Sequence, residues 1–173
     1  MFWALRGGGA GSWGVVISAT VRTYPIFNAT SHTVDIVAPT NESTAALMTL
    51  HARHIFDWED ARGGQYYTMV NGNADASIGG NLLSLLTYFP NSTADEAKAL
   101  LKPFLDGARS LNCTVGEEET AEGLANDLLF APDVSLGIND VLGSRLIPAK
   151  AFKTNPETIG QGMAKLIEEG VPT

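Results

Sequence analysis

Residues 2–18 read FWALRGGGAGSWGVVIS, and five of the eight positions from 7 to 14 are glycine. Such a run forms neither a stable helix nor a packed strand, because glycine loses more backbone entropy on ordering than any other residue. It is typical of a loop that something approaches closely or that needs positive φ angles. Helix-compatible residues precede the run, and the β-branched residues within 15–24 favour a strand after it. The sequence therefore predicts a helix, a glycine loop and a strand, in that order.

This order argues against a dinucleotide fingerprint. Residues 9–14, GAGSWG, fit the pattern G-x-G-x-x-G. In dinucleotide-binding folds, however, a strand enters that loop and a helix leaves it, so that the helix N-terminus faces the pyrophosphate. Here the predicted order is reversed. A P-loop is excluded as well, because no Gly-Lys-Ser/Thr sequence closes the run.

A longer block, FWALRGGGAGSWGVVISATVRTYP at residues 2–25, resembles the end of the FAD-binding domain in the berberine-bridge-enzyme-like FAD-linked oxidases, members of the vanillyl-alcohol-oxidase superfamily. The family pattern runs F-W-A-L-R-G-G-G-G, then a small residue, an aromatic residue and G-V-V-T; the chain departs from it at Ala10 and Ser18. A weaker match is GSRLIP at 143–148. The resemblance implies that FAD is the cofactor and that it lies against Gly9, Gly11, Ser12, Gly14, Val15 and Val16. A tight turn that binds nothing is the alternative for these glycines.

The same resemblance divides the chain in two. It implies that residues 1–27 are the C-terminal end of an FAD-binding domain and that residues 28–173 are an incomplete substrate-binding domain, whose sheet covers the flavin ring in the family. Because the chain starts inside a predicted helix, we interpret it as part of a longer protein, with the rest of the FAD-binding domain as its partner. The family segments that carry the cofactor-linking residue and the usual catalytic tyrosine are not recognised in this sequence, so the catalytic residue is unknown.

Hydrophobic periodicity predicts the elements that follow the loop. Strands are expected at 32–38, 65–72 and 82–89. A short strand is expected to begin at Thr114 and to be followed by an exposed acidic run at 117–119, and a further edge strand is expected at 144–148. Helices are expected after Pro39, Pro90 and Asn155, with Asn155 as the N-cap of the third. The second is expected to begin with a Thr93–Glu96 capping box and to be kinked or divided by Pro103. The buried face expected for the second helix is Ala97, Leu100, Leu101, Phe104, Leu105 and Ala108, and that of the third is Ile159, Met163, Leu166 and Ile167. The order predicts an α+β fold, an antiparallel sheet with helices on one side.

Two tyrosines are candidate substrate-binding residues. Tyr66 and Tyr67 are neighbours on one predicted strand, so their side chains point to opposite faces of the sheet. One face of the sheet meets the substrate in the family, and a phenol there can act as an acid, a base or a hydrogen-bond donor. The alternative is an ordinary core or surface tyrosine.

The amino-acid composition of the chain limits the classes of partner that it is expected to bind. The chain has 173 residues, of which 45% are hydrophobic and 17% are charged, as in a globular domain. Its formal net charge of −8, without a basic cluster, argues against nucleic acid or an anionic membrane as a partner. A small-molecule substrate is expected instead. No metal is expected either, because nothing completes a tetrahedral set around His51 and His54.

Four sequons point to the secretory route. Asn28, Asn41, Asn91 and Asn112 each open an Asn-x-Ser/Thr triplet, which predicts N-glycosylation and a secreted, extracellular protein. The alternative is that Asn and Thr recur there as helix caps. Cys113 is the only cysteine, so no disulfide can form within the chain.

Two functions remain open from the sequence. The first is a secreted FAD-dependent oxidoreductase that oxidises an alcohol, sugar or amine with oxygen as acceptor, of which this chain alone is expected to be inactive. The alternative is a stand-alone α+β binding module without a cofactor. Flavin absorbance distinguishes them.

Overall fold

The computed structural model describes residues 14–15, 17–72, 77–129 and 146–170. Its strands are β1 (Asn28–Ala38), β2 (Gly64–Val70), β3 (Asn81–Pro90) and β4 (Thr114–Leu124). Its helices are α1 (Asn41–His54), α2 (Ala94–Ser110), α3 (Ala125–Leu129), α4 (Ala149–Thr154) and α5 (Pro156–Glu168). The predicted α+β class is confirmed.

The four strands form one antiparallel sheet in the order β2-β3-β1-β4. Successive side chains alternate between its faces. Val34 and Ile36 of β1 and Leu83 and Leu85 of β3 are buried on one side, among residues from the helices. We call this side the covered face and the opposite side the open face.

Helices α1, α2 and α5 build the core against the covered face. The stripe predicted for α2 is buried at Ala97, Leu101, Phe104, Leu105 and Ala108. The expected capping box is present, since the Thr93 hydroxyl accepts from the backbone N–H of Glu96 and the Glu96 carboxylate accepts from the backbone N–H of Thr93. Helix α5 lies close to α1 at the buried Gly160. Leu166, expected on the buried face of α5, is instead exposed.

The strand predicted across 15–24 is wrong. Residues 17–27 are exposed and belong to no strand or helix. Their β-branched residues favour an extended backbone, but a strand also needs a partner strand, and residues 17–27 pair with none of the four strands described. The edge strand predicted at 144–148 is not found either: residues 146–148 are irregular and lead into α4, and 144–145 lie outside the described residues.

Three local predictions need correction. Helix α2 continues through Pro103. The proline has no N–H to donate to the carbonyl of Ala99. Both residues are exposed, so water can donate a hydrogen bond to that carbonyl instead. The acidic run at 117–119 lies inside β4, which extends to Leu124. Pro156 starts α5 as predicted, but the Asn155 side chain makes no capping hydrogen bond.

Candidate functional site

The open face presents a mixed aromatic and polar surface. Antiparallel partners share a face, so the pairing of the four strands sets side chains in transverse rows. The first row is Tyr66, Leu86, Thr33 and Glu119; the second is Thr68, Ser84 and Asp35; the third is Gly64, Tyr88, Ser31 and Ala121. Tyr66 in the first row has 74% of its surface exposed.

The second row contains a paired carboxylate. The Ser84 hydroxyl donates a hydrogen bond to the Asp35 carboxylate. Asp35 also lies where the β1–β4 register shifts, between Val34 and Ile36. Opposite it, a Cβ on Gly116 would come within 3.1 Å of the Asp35 carbonyl oxygen, so the glycine permits a close approach. Irregularities of this kind commonly redirect a side chain beside a functional site.

Tyr67 occupies the covered face, opposite to Tyr66. Its ring meets that of His51 edge-on, with 5.0 Å between the ring centroids. Burial raises the pKa of the Tyr67 phenol above its ordinary value, which keeps the hydroxyl protonated. Of the two candidates, Tyr66 therefore has the accessible hydroxyl, and Tyr67 belongs to the edge of the core.

Under the covered face, His51 joins a chain of polar side chains. Its Nε2 lies 2.5 Å from Gln65 Oε1, and Gln65 Nε2 donates to Thr87 Oγ1 over 2.8 Å. Desolvation by burial lowers the pKa of His51. His54 instead pairs with Asp57 at the surface of α1, over 2.6 Å. The described residues contain no group of three His, Cys, Asp or Glu side chains that could hold a metal ion.

Part of the glycine loop can be described. Gly14 has a φ of +142°, and a Cβ built there would meet no atom within 4 Å. The neighbouring Val15 side chain is 91% exposed. Among the described residues, none therefore blocks a close approach to the main chain at Gly14. The other predicted contacts, Gly9, Gly11, Ser12 and Val16, lie outside the described residues.

A cavity of about 540 Å³ lies at one end of the open face. It is lined by Phe27, Ala29, Arg62, Gly64, Gln65, Tyr66, Tyr88 and Pro90. Helix α3 lies beside it, because the Tyr88 hydroxyl donates to the Leu128 carbonyl oxygen over 3.1 Å. Arg62 and Tyr88 are not among the residues predicted from the sequence; the two-residue period of a strand would have placed Tyr88 on the same face as Ser84.

The sequon asparagines lie at the two ends of the sheet and are all exposed. Asn28 and Asn91 are joined at one end by a backbone hydrogen bond of 2.7 Å, from the Asn91 N–H to the Asn28 carbonyl. Asn41 and Asn112 lie at the other end of the sheet, Asn41 just after the end of β1 and Asn112 just before the start of β4. Both are close to one surface pocket, which Asn112 helps to line.

The described residues contain no helix with the length and apolar character that a membrane span requires.

Comparison with known proteins identifies relatives of this chain. No family model matches the chain. The FAD-linked oxidoreductase patO of Penicillium expansum is 31% identical over 99% of the chain, and the VAO-type flavoprotein oxidase VAO615 of Thermothelomyces thermophilus is 30% identical over 91% of it. The chain is homologous to FAD-linked oxidoreductases, among them a VAO-type flavoprotein oxidase. The family resemblance seen in the sequence is thereby confirmed.

The proteins that match this chain are much longer than it is. The chain spans 30% of patO and 27% of VAO615. Among solved structures, the VAO-type flavoproteins MtVAO615 and MtVAO713 from Myceliophthora thermophila C1 share the fold over 97% and 96% of the chain, and the chain covers 30% and 31% of theirs. Their TM-scores are 0.66 and 0.67 at 23% and 18% identity. At these low identities the two structures show a shared fold and nothing more.

Proposed function

We propose that the complete protein is an FAD-dependent oxidoreductase that oxidises an alcohol, sugar or amine with oxygen as the electron acceptor. In this proposal residues 1–27 end the FAD-binding domain, and residues 28–173 supply part of the substrate-binding domain. The observation that carries it is an exposed sheet face, rich in hydroxyl and aromatic side chains, in a chain homologous to VAO-type flavoproteins.

The residues of this chain then have distinct tasks. The exposed main chain at Gly14 and Val15 would lie against FAD, together with Gly9, Gly11, Ser12 and Val16. FAD, when bound, supplies the capacity to accept a hydride equivalent. The Tyr66 hydroxyl would orient a substrate hydroxyl or amine above the open face, and Asp35, held by Ser84, would accept a hydrogen bond from it.

A secreted location completes the proposal. Asn28, Asn41, Asn91 and Asn112 are exposed, so a glycan at any of them would extend into solvent. Asn91 and Asn112 adopt positive φ angles of 54° and 60° in turns, conformations that asparagine tolerates well. Turns of this kind leave room for the oligosaccharide.

The test of cofactor binding is Gly14→Val in the longest protein that the gene encodes. We expect this variant to purify without flavin, because a side chain at Gly14 would fill space that the cofactor needs. Flavin absorbance per mole of protein measures retention, and circular dichroism measures folding. Loss of flavin with an unchanged unfolding temperature is the expected result.

Gly79→Val is the matched control. Gly79 also has a positive φ, +74°, and also has open space around its Cβ position, but it lies in the β2–β3 connection. It should therefore reproduce the backbone strain and retain flavin. Equal flavin content in both variants would contradict the role given to Gly14. A colourless wild-type protein would favour the alternative, a binding module without a cofactor.

A further inference from the structure

The cavity at the end of the open face has the character of a small-molecule site. Its volume of about 540 Å³ lies within the range of pockets that hold drug-sized ligands. Apolar and aromatic groups predominate in its lining, namely the side chains of Phe27, Tyr66, Tyr88 and Pro90. Tyr88 is held in place by its bond to Leu128, whereas the Tyr66 hydroxyl forms no hydrogen bond within the described part of the chain.

Arg62 is the only charged residue in this lining. Its guanidinium forms no ion pair with any described residue, whereas Arg53 and Arg109 both do. The protein is strongly acidic overall, with a net charge of −8. A lone cation at an apolar cavity is complementary to a ligand that carries one negative charge.

The backbone holds Arg62 in an unusual conformation. Described non-glycine residues with positive φ are Arg62, Asn91 and Asn112; asparagine adopts this conformation readily, but arginine does so seldom. Two backbone hydrogen bonds of 2.9 Å fix the turn, from the Arg62 N–H to the Glu59 carbonyl and from the Gly63 N–H to the Trp58 carbonyl. The root of the Arg62 side chain is therefore fixed at the cavity despite the local strain.

We propose that this cavity binds an aromatic or aliphatic carboxylate. The apolar body of the ligand would pack on Phe27, Tyr66 and Tyr88, and its carboxylate would accept hydrogen bonds from the Arg62 guanidinium, which matches a carboxylate in a bidentate fashion. Every residue of this site belongs to the described part of the chain, and Tyr66 is shared with the proposed substrate-binding face.

The test compares two probes of the same shape, 4-phenylbutyrate and 4-phenylbutan-1-ol, by titration followed with ligand-observed NMR. We expect the carboxylate to bind about tenfold more tightly, since it carries a charge opposite to that of Arg62 and can accept two parallel hydrogen bonds from the guanidinium, whereas the alcohol oxygen is neutral and accepts one. Arg62→Gln should remove that preference and leave the affinity for the alcohol unchanged. Arg53→Gln is the control, because it removes an equal charge on α1 from an ion pair with Glu157.

A second variant tests the apolar part of the site. Gly64 lines the cavity and has open space around its Cβ position, so Gly64→Val should fill the cavity without disturbing β2. We expect it to weaken both probes about equally, with an unchanged unfolding temperature. The proposal is overturned if the carboxylate has no advantage, if neither probe binds, or if Arg53→Gln acts as strongly as Arg62→Gln.

Discussion

His51 is a neutral imidazole enclosed by aromatic rings. The rings of Trp58, Tyr67 and Phe104 lie 5.9, 5.0 and 5.8 Å from it, centroid to centroid. Desolvation is the main cause of its lowered pKa, the hydrogen bond with Gln65 opposes that shift, and the charge of His54 adds to it. The folded protein therefore binds a proton at this site less readily than the unfolded chain does.

Stability should consequently fall in mild acid. The unfolded imidazole takes up its proton near its ordinary pKa of 6.5, whereas the folded one does so only at lower pH. Below about pH 6.5 the unfolded state thus binds more protons, and the free energy of unfolding decreases by at most about 1.4 kcal/mol per pH unit from this group. Urea unfolding at pH 7.5, 6.5 and 5.5 measures the slope.

The matched variants are His51→Phe and His54→Phe. The first should flatten the slope between pH 6.5 and 5.5, because the titrating group has gone from the core. The second should leave most of the slope in place, because desolvation, the main cause of the lowered pKa of His51, is unchanged in it. Parallel slopes for wild type and His51→Phe would show that another group causes the acid sensitivity.

For single residues, the sequence predicts which side chains share a face of a strand better than it predicts the backbone conformation. Alternation along β2 correctly implied that Tyr66 and Tyr67 point to opposite faces, because the side-chain period of a strand is two residues. It could not tell which face carries the helices, since that depends on how α1 and α2 fold back. The conformation of Arg62 was equally unreadable, because Gly63 and Gly64 beside it are the residues that normally supply a positive φ.

Between elements, the contact of α5 with α1 depends on one glycine. A Cβ on Gly160 would lie 2.1 Å from Thr49 Oγ1 and 2.4 Å from the Ala45 carbonyl oxygen. These are impossible distances, and one of the two atoms belongs to the backbone of α1. The helices can therefore accommodate no side chain here without moving apart.

We expect Gly160→Ala to lower the free energy of unfolding by about 2 kcal/mol, as overpacking of a close interface does. Gly162→Ala is the control, because Gly162 lies in the same helix with open space around its Cβ position. It should raise stability by about 1 kcal/mol through helix propensity alone. Urea unfolding of both variants measures the difference, and the same sign for both would disprove the tight contact.

Elements were predictable where local pattern and tertiary surroundings agree. The buried stripe of α2 and its Thr93–Glu96 capping box were read from spacing alone. The strand expected from Val15 failed because extended residues without a ladder partner do not form one. Helix α2 passed through Pro103 because the lost hydrogen bond lies on the solvent side, which spacing does not reveal.

For the molecule as a whole, the sequons allow a direct test of the proposed secretion. We expect at least one of Asn28, Asn41, Asn91 and Asn112 to carry a glycan when the longest protein that the gene encodes is made in a eukaryotic host. Their exposure in the fold allows the modification to persist after folding. Peptide mapping before and after deglycosylation locates it, and Asn-to-Gln variants at each position serve as controls. Four unmodified asparagines would remove the support for an extracellular location.

Strand β1 receives the chain directly from residues 17–27 and lies in the interior of the sheet. It is paired at ten positions with β3 and at nine with β4, antiparallel on both sides. A pulling force applied along residues 17–27 would act parallel to both ladders, so that their hydrogen bonds resist it together rather than one after another. Residues 17–27 therefore tether the glycine loop to a strand that is paired on both sides, so a load carried along this segment would meet two ladders of hydrogen bonds at once.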